Sequence, residues 1–281
     1  MTGTAPRAGV AMTAIGVAVI RARESARPDR LYDDPLATVF VAAARAQFVG
    51  TPDGDDRWAS MLDLADAFYE GRTVSVRLVD DGVRAAIAAG CAQFVLLGAG
   101  LDTRAFRMPL PAHARFFEID LPELFAFKES VLAQAGARPV CERIVLPADL
   151  RGDWGDALRD SGFRPEVPTH WIDEGVLAYL GTDAAWAVAD TLTELSAPGS
   201  TFEVGRFVVP SAEPKYAALW ELVRGGRRSS GTPGLGPDAE AGLAARGWRT
   251  SFRSWDELIA PLGRGEATGD LDAGLLLAVK R

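Results

Sequence analysis

Phe94-Val95-Leu96-Leu97-Gly98-Ala99-Gly100-Leu101-Asp102-Thr103-Arg104, followed by Phe116-Phe117-Glu118-Ile119-Asp120, is the stretch whose reading decides the fold. A short apolar run that stops abruptly at glycines reads as a strand buried on both faces of a parallel sheet. Gly98 and Gly100 let the chain turn without a Cβ and let a ligand approach the backbone closely. The second apolar run closes on Asp120, 22 positions after Gly98. A doubly wound fold sets an acid at that separation, at the end of its second strand and facing a bound ribose.

The loop departs from the dinucleotide fingerprint at one point. Where a third glycine would let a helix pack beneath a pyrophosphate, Thr103 and Arg104 stand instead. A nucleoside without phosphates fits such a loop better than NAD does, and S-adenosylmethionine is the common example.

The 281 residues allow one large α/β unit with extra elements, or two small domains. Hydrophobic residues make up 48% and charged residues 24%, so the composition is that of a globular protein. A net charge of −8 argues against a nucleic-acid partner, because phosphate binding needs a clustered basic surface. The one basic cluster, Arg224, Arg227 and Arg228, lies in a Gly/Ser stretch and reads as a solvated loop. Cys91 and Cys141 form no Cys-x-x-Cys pair and read as small buried hydrophobes in a reducing cytosol. Residues 10–20 are apolar but only about half of a membrane span. No cleavage site precedes Arg21-Ala22-Arg23, so a soluble, cytoplasmic protein without a membrane partner is expected.

Residues 1–90 are expected to be helical, over 10–26, 36–48, 58–69 and 74–89, with Asp34-Pro35 starting the second helix and a loop at 50–56. They should form a lid on a Rossmann-like domain at 91–281, the two making one structural unit. Strands are expected at 93–97, 115–119, 140–146, 168–173, 200–204 and 275–279, with helices at 122–135, 154–161 and 182–195 between them. That alternation is α/β. Ligands bind such sheets at the carboxyl edge of the strands. The loop at 98–102 and the acids Asp120, Asp149 and Glu174 all fall on that edge, and the coincidence carries more weight than any one acid. Trp154, Trp171, Trp186 and the Phe125-Ala126-Phe127 segment read as core. The glycine-rich stretch 224–236 reads as a flap over the acceptor.

Several ordered motifs resemble the leucine carboxyl methyltransferase family, in particular its bacterial S-adenosylmethionine-dependent O-methyltransferases associated with polyketide pathways. They are the segments Val95 to Arg104, Phe117-Glu118-Ile119-Asp120-Leu121-Pro122, Asp149-Leu150, and Glu174-Gly175-Val176-Leu177-Ala178-Tyr179-Leu180. Upstream, Arg21-Ala22-Arg23-Glu24 and Leu31-Tyr32-Asp33-Asp34-Pro35 match as well. The resemblance runs from about residue 10 to 205 and fades to Gly247-Trp248 and a last apolar strand. It implies a doubly wound, mostly parallel seven-stranded sheet and the cofactor S-adenosyl-L-methionine. It also implies roles. Asp120 would take the ribose hydroxyls and Asp149 the adenine amino group, with the Leu150 N–H facing a ring nitrogen and Leu121 beside them. Gly98 and Gly100 would let the backbone approach the methionine part, Ala99 and Asp102 would be further cofactor contacts, and Glu174 would sit near the amino or sulfonium end. Arg72 or Arg77 would hold the methionine carboxylate, with Arg21 as a second basic contact.

A sulfonium methyl is already activated, so the enzyme has mainly to hold the acceptor oxygen in line and exclude water. A carboxylate acceptor, with a pKa near ~4, needs no base, whereas a phenol near ~10 does. His113 and His170 both read as structural, which tilts the reading toward a carboxyl acceptor, although Asp173 or Glu174 could serve as a base. The partner expected is thus a small molecule, polyketide-like by the resemblance. No cluster with metal-ligand spacing occurs. Two rival readings are an NAD-dependent oxidoreductase and a catalytically silent binding module on the same fold.

Overall fold

The computed structural model describes residues 4–5, 10–206, 214–224 and 234–281. Three helices come first: α1 (Val10–Ser25), α2 (Pro35–Phe48) and α3 (Gly54–Ala88). The strand–helix alternation follows as β1 (Gln93–Leu97), α4 (Arg104–Arg107), β2 (Arg115–Asp120), α5 (Pro122–Gln134), β3 (Glu142–Pro147), α6 (Trp154–Asp160), β4 (Thr169–Asp173), α7 (Thr182–Glu194) and β5 (Thr201–Arg206). The chain closes with α8 (Pro214–Arg224), α9 (Ala239–Ala245), β6 (Trp248–Ser254), α10 (Trp255–Ile259) and β7 (Gly274–Lys280).

The strands form one seven-stranded sheet in the order β3-β2-β1-β4-β5-β7-β6, parallel except for β7, which pairs antiparallel with both β5 and β6. The doubly wound arrangement implied by the motifs is therefore present. Every residue of β1 is buried, as a strand covered on both faces must be. Phe94 and Leu96 enter a cluster with Val83, Phe116 and Ile172 on one face. Val95 and Leu97 enter a second cluster with Phe117, Ile119, Trp171 and the inner faces of α6 and α7 on the other. Trp154 and Trp171 are core residues as expected, and Trp186 packs against the same cluster.

The helical segment has its own cluster, in which Ile15, Phe40, Phe48, Trp58 and Met61 meet Phe127 and Val131 of α5. Asp34 caps α2, accepting from the Ala37 N–H at 3.2 Å, with Pro35 in the first turn as the sequence predicts. The two helices expected at 58–69 and 74–89 are one helix of 35 residues, and its start at Gly54 shortens the expected loop. Gly71 does not break it, because a single glycine costs only ~1 kcal/mol in a helix packed along its length. β6 escaped the sequence reading. It is an edge strand whose Arg249-Thr250-Ser251 run lacks the apolar signature of the central strands. No helix among the described residues is long and apolar enough to cross a membrane. Cys141 is buried and Cys91 half-buried, and both are free thiols. The proposed flap at 224–236 falls mostly on residues outside those described.

Candidate active site

Register alone gathers the site. β1 lies between β2 and β4, so the strand order reverses there, and Leu97 sits level with both Ile119 and Asp173. The next residue on each strand is then Gly98, Asp120 or Glu174, side by side on the carboxyl edge at the switch point. Asp120 is in turn level with Pro147 of β3, which brings Asp149 beside it.

The turn after β1 needs its glycines for two reasons. Gly98 (φ +65°) and Gly100 (φ +51°) are in the left-handed region, and a Cβ on Gly98 would lie 2.6 Å from the Val176 side chain. The Gly100 N–H donates to Asp120 Oδ2 at 2.6 Å, while the Leu121 N–H donates to Oδ1 at 2.7 Å. Burial pushes the Asp120 carboxyl up, and these two amides oppose that shift.

A cavity of about 230 Å³ opens over this edge, room for a ligand rather than a bound water. Gly98, Ala99, Gly100 and Asp102 form its floor, and Asp120, Leu121 and Leu124 form one wall. Ala148, Asp149, Leu150 and Arg151 continue that wall, with Glu174, Gly175, Val176 and Tyr179 opposite. Thr13, Val17 and Arg21, one turn apart along α1, cover the top with Ala14, and Arg72 enters from α3. Eleven of the expected cofactor residues thus converge on a single cavity, with Arg77 the exception.

Their engagement differs from residue to residue. Asp149 is half-exposed and paired with the exposed Arg151 (2.5 Å), which holds its carboxylate below the usual range. Asp102 is buried. Desolvation pushes its carboxyl up, but Arg104 and Arg21 outweigh that and hold it low. Arg21 donates to the Leu101 carbonyl at 2.6 Å and lies 3.4 Å from Asp34. Arg72 donates to the Glu174 carbonyl at 3.0 Å.

Two expectations are corrected. Arg77 does not line the cavity; its Nε donates to Asp81 at 2.9 Å, one turn along its own helix, and its Nη1 to the Leu31 carbonyl. Asp173, considered as a base, is turned inward, where it accepts from the Gly175 and Leu177 amides at 3.0 and 3.3 Å. Burial raises its carboxyl to about 6, but the side chain is not among those lining the cavity. Neither histidine lines the cavity. His170 is buried with Nδ1 2.7 Å from Thr201 Oγ1 and depressed by burial to about 4, and His113 is exposed in the turn before β2.

Sequence reasoning missed Arg104 as part of the site. It is fully buried at the start of α4, where it reaches Asp80 (2.8 Å), Asp102 and Glu174. The signal was there: Arg104 directly follows Thr103, which stands where the fingerprint has its third glycine, and an arginine at so tight a helix–strand joint needs buried acids around it.

A family model described as leucine carboxyl methyltransferase matches residues 14–193. A Frankia alni protein, named as a candidate S-adenosyl-L-methionine-dependent methyltransferase, is 43% identical over 98% of this chain and 95% of its own. A Streptomyces coelicolor protein with the same description is 40% identical over 97% and 96%. Among solved structures, a candidate methyltransferase from Thermobifida fusca superposes with a TM-score of 0.58 at 18% identity, covering 98% of this chain and 95% of that one. A Streptomyces avermitilis protein of the duf574 family gives 0.55 at 15% identity, covering 98% of each. At those identities the two structures speak for the fold, whereas the sequence matches span nearly the whole chain. This chain belongs to the leucine carboxyl methyltransferase family.

Proposed function

We propose that this protein is an S-adenosyl-L-methionine-dependent O-methyltransferase that esterifies a carboxylate of a small-molecule acceptor. The cofactor reading agrees with the names of the relatives and with the chemistry of the cavity. The Asp120 carboxylate suits ribose hydroxyls, Leu121, Leu124 and Leu150 suit an adenine face, and Asp149 suits its amino group. At the other end, Glu174 suits an ammonium and Arg72 a carboxylate, with Arg21 behind it. When bound, the cofactor supplies a methyl group already activated on sulfonium.

What remains for the chain is to orient the acceptor in line, exclude water, and deprotonate it if it arrives protonated. The observation that favours a carboxylate concerns that last task. Four carboxylates line the cavity, and each has a partner: Asp102 and Glu174 have Arg104, Asp120 has two backbone amides, and Asp149 has Arg151. No histidine is among the described lining residues. An acceptor that is already ionised at neutral pH needs no base, and a carboxylic acid near pKa ~4 is such an acceptor whereas a phenol near ~10 is not. The polyketide-like acids implied by the motif resemblance belong to this class.

The test is incubation with methyl-labelled cofactor and an extract of small organic acids, read by mass spectrometry. A labelled product that loses its methyl in mild base is the expected ester. A base-stable ether would overturn the carboxylate reading, and cofactor binding without transfer to any acceptor would favour a silent binding module.

A further inference from the structure

Arg104 does not itself line the cavity, yet it touches three of the elements that do or that support it. Its backbone N–H donates to Asp102 Oδ1 at 2.7 Å, and its Nη1 reaches Asp102 Oδ2 in the glycine loop. Its Nε donates to Asp80 Oδ1 at 2.8 Å and its Nη2 to the Val76 carbonyl at 3.2 Å, both on α3. The same Nη1 also donates to Glu174 Oε2, just past β4. Arg107 forks onto Asp80 at 2.6 and 2.8 Å, so the α3 anchor is itself braced. A planar guanidinium presents five donors in a fixed fork and can join three acids at set angles, which a point-charge ammonium cannot. Glu174 lines the cavity with its Oε2 taken, and its Oε1 has no partner among the described residues.

We propose that Arg104 is a positioning residue for cofactor binding: it holds Glu174 with one carboxylate oxygen turned to the cavity, where that oxygen receives the cationic amino end of the cofactor. Arg104 reaches the amino end of the cofactor through Glu174 and not by touching it. The inference rests on the proposed reading that S-adenosylmethionine fills the cavity with its methionine end toward Glu174.

Calorimetric binding of two nucleosides to the full chain tests it. S-adenosylhomocysteine carries the amino acid part, and 5′-methylthioadenosine lacks it. Arg104→Lys and Glu174→Gln should each weaken S-adenosylhomocysteine binding at least tenfold and leave methylthioadenosine within about twofold. The double variant should be no more than about twofold weaker than Glu174→Gln alone. If Arg104→Lys weakens both ligands alike, or if the two losses multiply, Arg104 is a structural support and the proposal falls. An unchanged affinity in Arg104→Lys would also overturn it, while leaving the cofactor reading intact. Failure of the wild-type chain to bind either nucleoside would overturn the cofactor reading itself. Where melting shows Arg104→Lys to be unfolded, Asp80→Asn, which keeps the guanidinium and removes one anchor, is measured with the same ligands and the same expected selectivity.

Discussion

Arg72 and Arg77 stand five positions apart on α3 and end in different surroundings. At ~100° per residue, five positions turn a side chain by ~140°, so only one of them can face the carboxyl edge. Arg72 is the one that does; Arg77 is occupied by Asp81 and the Leu31 carbonyl. Losing a charge-assisted hydrogen bond to a ligand costs about 1.5–3 kcal/mol, or roughly ten- to a hundredfold in affinity. Arg72→Ala should therefore weaken cofactor binding by at least about tenfold, while Arg77→Ala leaves it within a factor of about two, both measured by titration calorimetry. Equal losses in the two variants would mean that the methionine end lies elsewhere.

Glu203 of β5 illustrates how one element constrains another. It faces α3 at Gly82, where any Cβ would come within 2.4 Å of its carboxylate, so the glycine makes room for a half-buried acid. Burial, and then the nearby charge of Asp81, raises this carboxyl from 4.5 to about 7. Asp81 is in turn paired with Arg77 and Arg84, which leaves Glu203 without a cation of its own among the described residues. A folded-state pKa above the unfolded value means that the native state favours the protonated acid. Stability from this group is full below pH ~4.5 and falls as the pH rises toward ~7, by on the order of 2–3 kcal/mol. Glu203→Gln should accordingly raise the melting temperature at pH 8 and leave it nearly unchanged at pH 4.5. A variant whose gain is the same at both values would show that the carboxyl does not titrate in this range.

For the whole molecule, the cavity joins the helical segment to the sheet. Residues from α1, α3 and four strand ends share its lining, so a ligand there ties together parts that otherwise meet through separate clusters. We propose that the helical segment 1–90 acts as the lid. A ligand held at a hundred times its Kd adds about 2.7 kcal/mol to the native state. For a chain of this size that corresponds to a rise in melting temperature of about 5 °C. S-adenosylmethionine should produce such a rise in a thermal scan and NAD should not. A shift with NAD alone would revive the oxidoreductase reading.

The central strands, the glycine turn and the acids on the carboxyl edge were legible in the sequence, because a doubly buried strand must be apolar throughout and a tight turn at its end must carry glycine. That information is local, and Gly98, Asp120, Asp149 and Glu174 could be found from it. The edge strand β6 was not legible, since a half-solvated strand has no need of an apolar run. Nor were the different fates of Arg72 and Arg77, the inward turn of Asp173 or the burial of Arg104. Each depends on which face of an element meets which neighbour, and only packing decides that. The sequence determined the sheet and the edge where chemistry could occur. Tertiary structure decided which charges there are left for a ligand and which are spent on holding the site together.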